Sequence, residues 1–171
     1  YVFAGLALSL LSLGVQAADG SLMEPVLMGP GTMNNPNVAV ALGYIDMVWV
    51  QHKPVEGYAK YVDLTQYIHY PGKVGEANPP GLAKFQQGYP EFKYNVKQVF
   101  ADGDYVITHS FLTGVPGLGK EITSPQPGSK PAPKVGDEVV DIFLIKNGKI
   151  VKQWDTIEQI GGTAETPATL F

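Results

Sequence analysis

Val139-Val-Asp-Ile-Phe-Leu-Ile-Lys-Asn-Gly-Lys-Ile-Val-Lys-Gln-Trp-Asp155 decides the fold. Two runs rich in β-branched and aromatic residues flank Asn147-Gly148, a dipeptide suited to the positive φ angles of a two-residue hairpin turn. Asp102-Gly103 marks a second hairpin of the same kind. Four strands are therefore expected: Lys93 to Ala101, Asp104 to Thr113, Asp137 to Lys146 and Lys149 to about Gln159. Upstream the period is helical. Asn35-Pro36 has the form of an N-cap followed by proline at the first helical position. The helix it opens carries Val38, Leu42, Ile45 and Trp49 and stops before Pro54. Shorter helices are expected over Pro54 to Val62 and Pro80 to Gly88. Helices followed by antiparallel strands define an α+β class.

Side-chain directions follow by counting outward from each turn, because strand residues alternate between faces. From Asp102-Gly103 the expected pairs are Phe100 with Tyr105, Gln98 with Ile107, Val96 with His109 and Tyr94 with Phe111. That places His109 on the inward face and leaves Thr108 and Ser110 on a wet one. From Asn147-Gly148 the pairs are Ile145 with Ile150, Phe143 with Lys152, Asp141 with Trp154 and Val139 with Thr156. Asp141 is then set among Val139, Phe143 and Trp154. Val140, Ile142, Leu144, Val151 and Ile157 make the other face apolar too. A sheet apolar on both faces needs cover on both. Helices cover one, and a second copy of the chain is expected on the other, giving a homodimer through the sheet.

The 171 residues suffice for one domain with its own core. Absence of cysteine excludes disulfides, thiolate metal sites and cysteine nucleophiles. All 12 basic residues are lysine, and the formal net charge is −4. With no arginine fork and no basic cluster, nucleic acid is not an expected partner. Tyr1 to Ala17 is an uncharged apolar run ending in small residues at Val15-Gln16-Ala17. It reads as the remainder of an export signal (1–17), cleaved near Ala18, rather than as a membrane anchor, which needs about 20 apolar residues. The protein is then expected to be secreted or periplasmic, without a stable membrane anchor after cleavage. Residues 18–36, rich in Gly, Pro, Asn and Met, read as a flexible arm. The domain proper is expected over 37–160, with a long Gly/Pro/Lys-rich loop at 114–136 that is either a solvated loop or a lid, and a tail at 161–171.

Several stretches resemble the SnoaL-like family. Gln98-Val-Phe-Ala-Asp-Gly-Asp-Tyr-Val-Ile-Thr-His109 is similar to its first hairpin, and Val139 to Asp155 to its "DIFR…GKIvEHWD" segment. Tyr67-Ile-His69-Tyr-Pro71 is similar to its "YiqHnP". The resemblance implies a cone-shaped nuclear-transport-factor-2-like barrel, with N-terminal helices packed on a curved antiparallel sheet around one apolar pocket. It also implies small-molecule chemistry of the polyketide-cyclase or aldol type without a cofactor. The family's arginine is Leu144 here, its "EHWD" histidine is Gln153, and the histidine often found two residues after the first is Phe111.

Asp141 is the candidate base, since a carboxylate on an apolar face has its pKa raised by desolvation. The alternative is a structural aspartate paired with Lys152 or a hydroxyl. His109 and His69 are candidate enolate-stabilising groups, and a hydrogen-bonded core histidine is the competing reading of His109. Trp154, Tyr105, Phe143, Tyr70 and Phe111 are the candidate substrate-binding wall, with ordinary packing as the alternative. His52, His69 and His109 lack ligand spacing, so no metal site is expected. The expected ligand is a small apolar or carbonyl-containing molecule. The same cone used as a non-catalytic ligand-binding or dimerisation module is the second reading.

Overall fold

The computed structural model describes residues 26–115 and 134–161. Residues 1–17, which carry the expected export signal, residues 18–25 of the expected arm, residues 116–133 of the expected long loop and the expected tail beyond 161 lie outside the described residues. In chain order the elements are β1 (Val26–Leu27), α1 (Pro30–Met33), α2 (Pro36–Ile45), α3 (Pro54–Tyr61), β2 (Ile68–His69), α4 (Pro79–Gly88), β3 (Lys93–Asp102), β4 (Tyr105–Thr113), β5 (Lys134–Lys146) and β6 (Lys149–Gly161). The architecture is the mixed α+β one expected, with helices on one face of a mainly antiparallel sheet. Strand order is β1-β3-β4-β5-β6-β2. The sheet is not closed, and its edges are the two short strands β1 and β2, which pair in parallel with β3 and β6.

Helix α2 begins as its sequence dictates. The Asn35 side chain accepts the Asn37 backbone N–H at 2.9 Å, and Pro36 follows at the position where a missing N–H costs nothing. The amides of Asn35 and Asn37 also donate to the Gly103 carbonyl, at 2.9 and 3.2 Å, latching the helix start to the β3–β4 turn. The helix widens into a π turn over Asp46–Val50. There the Gln86 side chain of α4 donates to the Val48 carbonyl at 2.7 Å, in buried surroundings where an unpaired group would be costly. Trp49 at the end of this turn stacks on Tyr94 of β3 with ring centroids 5.8 Å apart. Tyr44 meets the fully buried Phe143 of β5 edge-on at 5.8 Å.

Part of the expected arm is ordered structure. β1 pairs with Gln98 and Val99 of β3, and the Thr32 hydroxyl of α1 accepts the Ala101 backbone N–H at 3.0 Å.

The register departs from simple counting in three places, and the two bulges among them change which side chains face the helices. The first turn uses Gly103 and Asp104, so Asp102 pairs with Tyr105 and Phe100 with Ile107. Lys97 is an extra residue on β3 between the pairs Val96–Ser110 and Gln98–His109. Val151 is an extra residue on β6 between Ile145–Ile150 and Leu144–Lys152. A bulge of this kind sets two residues against one and inverts the alternation beyond it. Phe143 therefore pairs with Gln153, Asp141 with Asp155 and Val139 with Ile157. The inner face carries Thr108 and Ser110, both fully buried rather than wet. The outer face carries Tyr105, Ile107, His109, Phe111, Val140, Ile142, Leu144 and Trp154.

Gly57 of α3 sits where an added Cβ would lie 2.4 Å from Val48 Cγ2, and Val48 is fully buried and unable to retreat. Gly57→Val is expected to cost about 2 kcal/mol or more through overpacking, read as a lower urea midpoint at unchanged m.

Candidate functional site

Asp141 is buried on the inner face at the middle of β5, and both carboxylate oxygens are held. The Tyr94 phenol of β3 donates to Oδ2 through a short contact, and Gln153 Nε2 of β6 donates to Oδ1 at 2.8 Å. The Gln153 carbonyl in turn accepts the Tyr67 phenol at 2.8 Å and the Tyr44 phenol at 3.5 Å. Of the two ends of the Gln153 amide only the nitrogen can donate to the carboxylate, which leaves its oxygen to accept from the phenols and fixes which way the amide points. Tyr58 packs edge-on against both Tyr44 and Tyr67, at 5.5 and 5.8 Å. The result is a carboxylate suspended in an aromatic cage by a chain of donors.

Electrostatics follow from this burial. Desolvation pushes the Asp141 pKa up from 3.8 to about 6, against the lowering pull of the Tyr94 and Gln153 hydrogen bonds. Asp155 across the ladder raises it further, and His69 lowers it. Burial pushes the phenols of Tyr44, Tyr67 and Tyr94 upward, so all three remain neutral donors. Near neutral pH the carboxylate is the member of this inner cage that changes charge. It is ionised at pH 7 yet only about one unit from protonation, as a proton-transfer group requires.

The other sequence candidates divide between two faces. His109 is on the outer face, opposite Asp141, because it pairs with Gln98 and Val140. Its Nδ1 meets Gln98 Oε1 at 3.2 Å, and its Nε2 makes a short contact with Glu138. The inward placement of His109 is thus corrected: the Lys97 bulge sets the inward-facing Val96 and Tyr94 one residue out of phase with it, whereas the turn shift moves the register by two and keeps every face. His69 lies at the rim. The parallel register of β2 sets it beside Gln153, and its Nε2 meets Asp155 Oδ2 at 2.9 Å. Trp154 is on the outer face, where Tyr70 stacks on it at 5.0 Å with the planes 9° apart. Tyr105 is outward and about half exposed, and Phe111 is outward opposite Glu138. Of the expected wall residues, Phe143 alone shares the inner face with Asp141. Lys152, the suggested partner of Asp141, is outward opposite Leu144.

Tyr94, Gln153, Tyr67 and Asp155 complete the site without having been singled out as site residues by sequence. Gln153 had one signal, its occupation of the resembling family's histidine position. Asp155 stands at the aspartate of the family's "EHWD" segment and Tyr94 was counted onto the inward face, but neither was joined to Asp141 without locating the bulges. Among the described residues no three His, Cys, Asp or Glu side chains converge to hold a metal ion. A separate groove of about 290 Å³ lies at the β1–β3 edge, lined by Met28, Thr32, Phe100, Tyr105 and Ile107, away from Asp141.

A family model for SnoaL-like polyketide cyclases matches residues 40–165. No curated protein matches the chain. Among solved structures, a candidate polyketide cyclase from Bacillus cereus ATCC 10987 is 19% identical, with 71% of this chain and 73% of that one covered at a TM-score of 0.50. A candidate SnoaL-like polyketide cyclase from Jannaschia sp. CCS1 is 18% identical, with 80% and 93% covered and a TM-score of 0.51. AclR, a candidate hydroxylase from Streptomyces galilaeus, is 18% identical, with 71% and 88% covered and a TM-score of 0.51. At such identities the likeness is one of fold, and a fold hosts more than one chemistry.

The raised pKa of Asp141 has a measurable cost. The folded state disfavours its ionised form, so its contribution is unpenalised below about pH 3.8 and worsens as pH climbs to about 6. Above that window the penalty is about 3 kcal/mol. Asp141→Asn is expected to melt higher than the parent at pH 7–8, the difference vanishing below pH 4, as read by calorimetry across pH.

Proposed function

The chain belongs to the SnoaL-like polyketide cyclase family, and on that premise we propose that it is an exported, cofactor-independent acid/base enzyme acting on a small apolar carbonyl compound. The carrying observation is the buried Asp141 carboxylate, gripped by the Tyr94 phenol and the Gln153 amide inside an aromatic cage. In this mechanism ionised Asp141 takes a proton from the carbon beside a carbonyl, leaving an enolate. The enolate carbon attacks a second carbonyl of the same molecule, and protonated Asp141 returns its proton to the new alkoxide. Tyr94, kept neutral by burial, has a single O–H that rests on Asp141 Oδ2; once Asp141 has taken up the substrate proton, that phenol is free to turn and donate to the enolate oxygen. That role replaces the one considered for His109.

The test does not need the natural substrate. The full chain is expected to accelerate exchange of the α-hydrogens of an apolar 1,3-diketone into deuterium oxide, followed by NMR. Asp141→Asn is expected to lower that rate on the order of a hundredfold or more while keeping the fold. Full exchange by this variant would overturn the assignment.

A second reading rests on a specific observation: both Asp141 oxygens are already satisfied from within the protein. A carboxylate so placed suits a binding module that accepts a ligand without reacting with it. Ligand retention by native mass spectrometry, with no exchange activity in the parent protein, is its signature.

The outer face supports a homodimer. Phe100 and Tyr105 are exposed there, beside the partly exposed Ile107, Ile142, Leu144 and Trp154. Solvent-facing apolar side chains of this number on one face of a sheet suit burial against a second copy. Ile142→Glu is expected to shift the sedimentation equilibrium to monomer, and a concentration-independent monomer in the parent protein would overturn the proposal. Export is supported by the apolar run of residues 1–17, and the N-terminus of protein recovered outside the cytoplasm is expected near Ala18.

A further inference from the structure

Asp141 and Asp155 are directly opposed in the β5–β6 ladder, with both side chains on the inner face. Opposed positions in an antiparallel pair hold their Cβ atoms about 4.5–5.5 Å apart, and like charges there repel. Asp155 is not alone: His69 Nε2 meets its Oδ2 at 2.9 Å. The side chains of His69 and Asp155 are 43% and 29% exposed, whereas Asp141 is 3% exposed. A solvent-reachable acid–base couple therefore abuts a buried carboxylate, and all three groups stand on one face of the neighbouring strands β5, β6 and β2.

We infer that His69 and Asp155 are a positioning pair for Asp141, setting its charge from the solvent-reachable edge of the inner face without touching the reacting atoms. The inference rests on Asp141 being the working group proposed above. Asp155 alone would hold its neighbour protonated, since two adjacent carboxylates resist being ionised together. His69, drawn toward its protonated form by Asp155, cancels that charge and lets Asp141 ionise. The groups facing Asp141 from the packed elements are Tyr44 of α2, Tyr58 of α3, Tyr67 ahead of β2, Tyr94 of β3, Thr108 and Ser110 of β4, and Gln153 of β6. Of these the hydroxyl and amide side chains carry no charge, and the caged phenols of Tyr44, Tyr67 and Tyr94 stay neutral. Among the described residues Asp155 and His69 are charged neighbours that act on Asp141, and Asp137 is a further buried carboxylate on the same face of β5. Asp141, Asp155 and His69 titrate as a coupled set.

The two members of the pair should move Asp141 in opposite directions, which a purely structural role would not. The experiment is a carboxyl-carbon NMR titration of the full chain labelled at aspartate, with the Asp141 resonance assigned by its loss in Asp141→Asn. His69→Gln leaves Asp155 uncancelled and should raise the Asp141 midpoint on the order of half to one pH unit. Asp155→Asn removes the repelling charge and should lower it by a similar amount. The double variant should return close to the parent midpoint. An unmoved midpoint in either single variant, or shifts of the same sign in both, would overturn the inference. The readout does not depend on turnover, so absent catalysis and an absent positioning pair give different results. Where the exchange reaction is present, the acid limb of its pH profile is expected to follow the same two shifts.

Discussion

Everything at the centre of this molecule is arranged around the desolvation of one carboxylate. Asp141 is removed from water by the helices that cover the sheet, and the cost is reduced by two donors, Tyr94 and Gln153, brought from strands on either side of β5. Gln153 can serve only because Tyr67 and Tyr44 hold its carbonyl. Those phenols are in place because the segment before β2 and helix α2 pack over the inner face. The hydrogen-bond chain thus runs through α2, the approach to β2, β3, β5 and β6. Losing any one member leaves a buried polar group unpaired, which costs more than the bond itself contributes.

The elements were largely legible in the sequence, and the faces were not. Asn35-Pro36, Pro54 and the Gly-containing turns announce their structures through local backbone chemistry that neighbours seldom override. Both hairpins were expected, the second with its turn at Asn147-Gly148 and the first with its turn one residue later than the expected Asp102-Gly103. Face assignment depends on an unbroken count of two, however, and the bulges at Lys97 and Val151 break it without any glycine or proline to mark them. Polarity misled as well. Thr108 and Ser110 looked solvated but are fully buried, while Ile107, Phe111 and Trp154 looked like interior and lie on the opposite face. Asp141 was placed on one face with Val139 and Phe143 because the ladder between it and the second turn carries no insertion on its own strand. His109 was misplaced because the Lys97 bulge separates it from the inward-facing Val96 and Tyr94 with which it was counted.

The exchange of the resembling family's histidine for Gln153 fits this picture. A glutamine presents a donor to Asp141 and an acceptor to the tyrosines at every pH, whereas an imidazole at that place would titrate alongside the carboxylate it supports. The ionisable histidine near the site is instead His69, one strand outward and in contact with solvent.

Both tryptophans of the chain are stacked on tyrosines, one on each side of the sheet. Trp49 leans on Tyr94, the phenol that grips Asp141, while Trp154 lies against Tyr70 on the outside. The molecule therefore carries two built-in optical reporters with no shared surroundings. Light emitted from Trp49 registers events in the cage, and light emitted from Trp154 registers what approaches the exterior of the sheet. Replacing either indole with phenylalanine leaves a single-probe protein in which occupancy and association can be watched apart.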